Sequence, residues 1–216
     1  MSDMELLEGI CDVCRRLHGR NLLAAGDGNI SARIADGRIA ITPSGVSKAR
    51  MNPQDMAFLA VDGSIISGRP STERLMHMTI YRSCPEAHCV VHAHPPTAIA
   101  WTVARPELLE LPSEGLPELI LAAGTIPIVP YARPGTEALA HALEPFLPDH
   151  RLLLLARHGA VCWSEDLEGA FLGIERLEHV AQILKAAVEL GGISSMDAAE
   201  LAALHEARAK IGPRIL

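Results

Sequence analysis

The sequence predicts a single α/β domain spanning residues 1–216, and three observations carry that reading. Apolar residues keep a helical period near both ends of the chain, as at Leu6, Leu7, Ile10, Val13, Cys14 and Leu17. Between these stretches lie short apolar runs bounded by Gly, Pro, Asn and Asp, the pattern of strands joined by tight turns. With 49% apolar and 21% charged residues, the 216-residue chain has a globular composition and enough apolar side chains for a sizeable core.

The first helix is expected from Asp3 to about His18, with Ser2 or Asp3 as its N-cap. Gly26-Asp27-Gly28-Asn29 reads as a turn, followed by a strand from Ile30 to Ile34 and its hairpin partner from Arg38 to Thr42. Thr42-Pro43-Ser44-Gly45 is a second turn, whose small residues let a ligand approach the backbone closely. Met56 to Val61 and Ser64 to Ile66 read as two strands joined by the hairpin signal Asp62-Gly63. Beyond Pro70 a helix is expected from the Ser71-Thr72-Glu73 group to about Cys84, capped by Ser71 or Thr72. Its free N–H groups and dipole suit an anion such as a phosphate.

A strand from Cys89 to His92 follows, then a short helix from Thr97 to Ala104. Next come a helix from Glu114 to Ala123, a short strand from Ile126 to Val129 and an amphipathic helix from Gly135 to Phe146. Arg151 to Ala156 is a continuous apolar run, the signature of a central strand. Ala160 to Trp163 reads as one more strand, Leu167 to Leu190 as a long helix ended by Gly191-Gly192, and Met196 to Lys210 as the last helix.

The formal charge of −7 and the lack of any basic run argue against nucleic acid as a partner. Aromatics make up only 3%, too few for a base-stacking platform. The N-terminal stretch carries acids where a secretory signal needs positive charge, and no apolar run approaches a membrane span. A cytoplasmic protein without a membrane partner is the expectation. Five cysteines do not suggest a disulfide framework, and Cys11 and Cys14 fall inside the first amphipathic helix as core-facing residues.

Val90-Val91-His92-Ala93-His94 is the stretch that carries chemistry. Alternation on a strand puts His92 and His94 on one face, about 6.5 to 7 Å apart along the backbone, where two imidazoles can converge on one metal. A buried strand has little other reason to end in two polar rings that must each be satisfied. The run from Arg151 stops at Arg157-His158-Gly159, and a histidine beside a glycine after a rigid strand is well placed as a third ligand. The other histidines, His18, His77, His88, His141, His150, His179 and His205, lack a partner pattern and are assigned to surface or packing roles.

Glu73, His92, His94 and His158, with Gly28-Asn29, Ser44-Gly45 and Ser71-Thr72 in the same order, resemble the class II aldolase/adducin family, of which the L-fuculose-1-phosphate aldolases are typical. The similar segments are GDGNISAR, ITPSGVSK, RPSTE, VVHAH, VPYARPGT and RHGAVCW, and the resemblance covers nearly the whole chain. It implies a three-layer α/β/α fold on a mainly antiparallel central sheet, and a homotetramer with active sites at the subunit interfaces. It also implies a divalent metal held by His92, His94 and His158, zinc first, with manganese or another divalent ion left open. By the same resemblance, Glu73 is a further metal ligand that leaves on substrate binding and acts as acid and base. Gly28, Asn29, Ser44, Gly45, Ser71 and Thr72 form the phosphate pocket, built on short donors and a helix N-terminus rather than a Lys/Arg clamp.

The implied activity is that of a lyase, a metal-dependent aldolase cleaving a ketose 1-phosphate to dihydroxyacetone phosphate and an aldehyde. Two departures bear on the substrate. A tyrosine that the family's type member brings from the adjoining subunit is matched here by Glu118, a second catalytic residue in this reading. A tyrosine in the C-terminal tail is matched by Ile211, with Gly212 and Arg214 nearby still similar. A more apolar aldehyde end favours 5-deoxyribulose or 5-methylthioribulose 1-phosphate over fuculose 1-phosphate. The alternatives on the same scaffold are a methylthioribulose-1-phosphate dehydratase, which shares a glutamate like Glu118, a sugar-phosphate epimerase or a decarboxylase. An adducin-like structural module without chemistry is the alternative from another class.

Overall fold

The computed structural model describes residues 2–212. Eight strands form one sheet: β1 (Asn29–Arg33), β2 (Ile39–Ile41), β3 (Ala57–Leu59), β4 (Ile65–Ser67), β5 (Cys89–Ala93), β6 (Ile128–Val129), β7 (Leu152–Leu155) and β8 (Gly159–Ser164). Their order is β4-β3-β2-β1-β5-β8-β7-β6, and every pairing is antiparallel except β6 with β7. The helices are α1 (Asp3–Gly19), α2 (Arg74–Ser83), α3 (Pro96–Ala104), α4 (Pro117–Ala123), α5 (Glu137–Leu143), α6 (Leu167–Glu189) and α7 (Ala198–Ile211).

Helices cover both faces, giving the three-layer α/β/α arrangement. On one face Ile30, Ala32, Cys89, Val91 and Cys162 pack against Ile10 and Leu17 of α1 and Phe171, Ile174 and Leu177 of α6. On the other, Val90, Val161, Leu153 and Leu155 pack against Met76 and Ile80 of α2 and Leu139 and Leu143 of α5. Strand alternation in β5 therefore sends His92, and His94 just beyond the strand, to the face carrying Val90 and α2. In β1 the same parity points Asn29 and Ser31 that way, because Asn29 pairs with His92 and Ser31 with Val90.

Several boundaries differ from expectation for identifiable reasons. Helix α2 starts at Arg74 rather than at Ser71 or Thr72, and Glu73 occupies its N-cap; the Ser71 hydroxyl accepts from the Glu73 N–H at 3.2 Å in a turn ahead of the helix. The helix expected from Glu114 starts only at Pro117, whose fixed φ and missing N–H suit a first turn. The segment to Phe146 divides into α5 and a 3-10 turn over Glu144–Phe146, where Pro145 cannot continue the ladder. Strand β7 is buried at all four residues yet lies second from the sheet edge, because helices cover both of its faces; β1, β5 and β8 hold the inner positions nearest the histidines. Ser2 caps α1 through a reciprocal bond with Glu5, as the Ser-x-x-Glu spacing allows. No helix among the described residues is long and apolar enough to cross a membrane. Arg214 lies outside the described residues.

Candidate metal centre

The two ends of β5 and β7 bring the histidines together. His92 is fully buried in the sheet, and the His94 N–H donates to Leu22 O at 2.8 Å immediately after the strand. Pro95 and Pro96 then start α3, whose first N–H groups, those of Thr97 and Ala98, donate to the buried Glu178 carboxylate of α6 at 3.0–3.2 Å. An acid at a helix N-terminus is favourable, and here it fixes the exit of the histidine strand.

His158 sits in the three-residue connection between β7 and β8. There Arg157 takes φ +61° and its N–H donates to Thr102 Oγ1 at 2.8 Å, while the His158 N–H returns to Leu155 O at 3.1 Å. Gly159 must be glycine. A Cβ there would stand 2.6 Å from Ala93 O, 2.8 Å from His94 Cδ2 and 3.0 Å from His92 Cε1.

The three rings face one another with centroids 4.8–5.3 Å apart, and their ligand atoms all lie within 4.8 Å of one another. His92 Nε2 is 3.1 Å from His94 Nε2 and 3.1 Å from Glu73 Oε2, and His158 Nε2 is 3.1 Å from Glu73 Oε1. His92 Nδ1 lies 2.9 Å from Ala160 O and donates to it, which leaves the Nε2 lone pair facing the cluster. Glu73 Oε1 is buried without a hydrogen bond of good geometry. Three imidazole nitrogens and a carboxylate packed this closely, with the Ala160 bond leaving His92 Nε2 as a lone pair, fit a divalent cation. Ligands about 2.0–2.1 Å from zinc stand about 3.3 Å apart in a tetrahedron, close to these spacings.

Burial raises the proton affinity of Glu73, but His92 and His158 in contact outweigh it and hold the carboxyl well below the usual range. Burial, reinforced by His92 and His158, pushes His94 down to about 3, so it rests as the neutral imidazole that ligates metals.

A buried polar chain stands behind Glu73. Asn29 Nδ2 donates to Glu73 Oε2 at 2.8 Å, so Asn29 Oδ1 accepts from His77 Nε2 at 2.5 Å. His77 is fully buried, and burial pushes its pKa down to about 3, so the ring is neutral; its unprotonated Nδ1 must then accept from Ser31 Oγ at 2.7 Å. Ser31 Oγ in turn accepts from Tyr81 Oη at 2.8 Å. Every donor in the chain points toward Glu73. Sequence reasoning assigned His77 to packing, although its position one helical turn after Glu73 put both on one face of α2.

Gly28, Asn29, Ser44, Gly45, Ser71 and Thr72 all line one cavity of about 300 Å³, which Glu73, His94 and His158 also line. Gly28 takes φ +68°, and a Cβ there would come within 2.8 Å of His92 O. Lys48 and Asp27 line the same cavity and were not singled out from sequence. Glu118 is exposed in the first turn of α4 and is not among the residues lining it; nor is Ile211, which is 39% exposed at the end of α7. A larger cavity of about 650 Å³, beside Trp163 and Arg208, contains none of the predicted site residues.

Residues 8–184 match the family described as Class II Aldolase and Adducin N-terminal domain. The chain is 34% identical over 212 residues to a 3-oxo-tetronate 4-phosphate decarboxylase from Cupriavidus necator, covering 96% of each. It is 33% identical over 180 residues to a 5-deoxy-D-ribulose 1-phosphate aldolase from Bacillus thuringiensis serovar kurstaki, covering 77% of this chain and 80% of the relative. Its fold matches the crystal structure of YgbL from Escherichia coli, with a TM-score of 0.87 and 29% identity over 94% of this chain and 98% of the other. The family is metal-dependent, and its named relatives act on sugar phosphates by more than one reaction. With an antiparallel-dominated sheet, three converging histidines and this match across most of its length, the chain belongs to the class II aldolase and adducin family.

Proposed function

We propose that this chain is a metal-dependent carbon-carbon lyase that releases dihydroxyacetone phosphate from a small phosphorylated ketone, with 3-oxo-tetronate 4-phosphate as its substrate. The observation that carries the reading is the convergence of His92, His94, His158 and Glu73 on one point at the wall of a cavity otherwise lined largely by small residues. A divalent cation held by those four side chains, zinc first and manganese or another ion second, supplies a Lewis acid for the negative charge that develops on the ketone oxygen.

When the C1–C2 bond of the substrate breaks, carbon dioxide leaves and the electron pair stays on C2 as an enediolate, which must then take a proton at C2. Glu73 is the group to deliver it. Its Oε2 is held by Asn29, while Oε1, buried and 3.1 Å from His158 Nε2, faces the cavity side of the cluster and is the oxygen to carry the proton. The hydroxyls of Ser44 and Ser71 and the backbone of Gly28, Gly45 and Thr72 hold the phosphate at the other end.

The decarboxylase relative, matched nearly end to end, supports the choice of carbon dioxide as leaving group. Retro-aldol cleavage is the second reading, supported by the aldolase relative, and it breaks the C3–C4 bond of a ketose 1-phosphate to reach the same enediolate. It also needs a base for the C4 hydroxyl. Glu118 would serve only from the adjoining subunit of a cytoplasmic homotetramer, because it lies outside the cavity of its own chain. Decarboxylation requires no such group, which favours it.

The test is dihydroxyacetone phosphate release by the metal-loaded protein from 3-oxo-tetronate 4-phosphate, 5-deoxyribulose 1-phosphate, 5-methylthioribulose 1-phosphate and fuculose 1-phosphate. A kcat/KM highest for the 3-oxo acid bears the proposal out. A preference for any ketose 1-phosphate replaces it with the aldolase reading, and a dehydrated ketone in place of dihydroxyacetone phosphate points to the dehydratase. A protein purified without metal and inert on all four would be an adducin-like module.

A further inference from the structure

We propose that Lys48 is the cation of the phosphate pocket, a positioning residue that locks together the two turns lining it and supplies the positive charge its short donors lack. The proposal rests on reading the cavity as a phosphate site. Lys48 is only 1% exposed. Its Nζ donates to Gly26 O at 3.1 Å, Pro43 O at 3.3 Å and Val46 O at 2.9 Å, so all three ammonium protons are used. Gly26 belongs to the turn before β1, and Pro43 and Val46 flank Ser44 and Gly45; one side chain thus ties both turns.

Burying a lysine is costly unless it is fully bonded, and a clip between two loops could be made from neutral groups. The charge has a use of its own here. Lys48 is the one lysine or arginine among the residues lining the cavity, which also carries the carboxylates of Asp27 and Glu73. With Glu73 given to the metal, a phosphate entering beside the Asp27 carboxylate meets repulsion that this ammonium, the one lysine or arginine on the cavity wall, offsets, and at low dielectric it acts through space without touching the ligand. The N–H groups of Gly28, Gly45 and Thr72, on the same cavity, find no acceptor among the described residues. They are free to bind phosphate oxygens while Lys48 fixes the turns and neutralises the charge. Burial lowers the Lys48 pKa from its ordinary value, with Cys14 and Asp27 opposing. Three acceptors converging on a point suit an ammonium rather than the planar fork of an arginine.

The experiment is a calorimetric titration of inorganic phosphate into the metal-loaded wild type and K48M, with metal content measured in both. Wild type is expected to bind phosphate, and K48M to bind it about tenfold more weakly or worse, roughly the loss of one nearby, poorly screened charge. Metal content should be unchanged, and KM for the phosphorylated substrate should rise more than kcat falls. Equal phosphate affinity in K48M overturns the assignment to Lys48. No phosphate binding by the wild type sinks the phosphate reading of the cavity, and this proposal with it. Should K48M fail to fold, the wild type answers alone through lysine 15Nζ spectra. Lys185 and Lys210, the other two lysines, are exposed. The protected Lys48 signal is expected to shift as phosphate is added, and a signal unmoved at saturating phosphate overturns the proposal.

Discussion

The side-chain amide of Asn29 bridges Glu73 and His77, donating to Glu73 Oε2 at 2.8 Å and accepting from His77 Nε2 at 2.5 Å. Oδ1 and one of the two Nδ2 hydrogens are committed within the protein, and the prediction is that Asn29 acts on Glu73 more than on the phosphate. N29A should lower kcat by about 10- to 100-fold, the range for losing a partner that orients a metal-site group, with a much smaller change in KM. Steady-state kinetics decide this; a raised KM at unchanged kcat returns Asn29 to the phosphate.

Gly159 leaves the room that the histidine rings occupy. The Cβ of G159A would collide with the Ala93 carbonyl and with the rings of His94 and His92, and backbone atoms cannot give way cheaply. Elemental analysis of the purified variant should find most of the metal gone. Full metal occupancy would mean that the connection between β7 and β8 relaxes without moving the ligands.

Glu118 discriminates between the two carbon-carbon cleavages. As a proton acceptor at the C4 oxygen, it would make E118Q about a hundredfold slower in a retro-aldol reaction. Loss of carbon dioxide needs no proton removed there, so E118Q should decarboxylate at nearly the wild-type rate. Assaying one variant on both substrates separates the readings.

All five cysteines are free and buried, and burial raises Cys14 and Cys89 to about 12 and Cys84 to about 11. Thiolates, not thiols, react with disulfide reagents. The native protein should be inert to an aromatic disulfide at pH 8, whereas five thiols per chain should react once it is unfolded in guanidinium. A fast-reacting thiol in the native state would show that one of these positions opens.

Arg151 is 5% exposed, lies 4.5 Å from the centre of the Trp163 ring and donates to both oxygens of Glu165, at 2.5 and 2.8 Å. Those bonds hold the Glu165 carboxyl down at about 2 against an ordinary 4.5. A depressed pKa stabilises the folded state above the unfolded value, so the contribution is complete above about pH 4.5 and is lost as pH falls toward 2. Glu165 is 41% exposed, and solvent screening limits the gain to about 1 kcal/mol. E165Q should melt about 2–4 °C below wild type at pH 7, with the gap narrowing by pH 3. A gap independent of pH would assign the effect to packing.

Legibility in the sequence followed the range of the interaction concerned. The period-two pattern of β5 placed His92 and His94 on one face, and the apolar run ending before His158 brought the third histidine of the cluster into view, because burial and alternation are local. Helix α2 was found but started three residues early, since the Ser71 hydroxyl bonds the Glu73 N–H in a turn that imitates a cap. His77 and Lys48 escaped notice for another reason. Each is a polar residue bonded to a segment far along the chain, β1 for His77 and the turn at Gly26 for Lys48, and no sequence window contains Asn29 with His77 or Gly26 with Lys48. The place of β7 next to the sheet edge was likewise hidden, as a strand covered on both faces reads the same wherever it lies in the order.

The pairing of β5 with β1 on one side and β8 on the other joins segments far apart along the chain. His158 cannot meet His92 and His94 until β8 has docked, and Asn29 reaches Glu73 only through β1. Such long-range closure is a late and slow event in folding. The full set of three histidines and Glu73 therefore exists only in the assembled sheet, and an unfolded chain offers a cation no more than the pair His92 and His94.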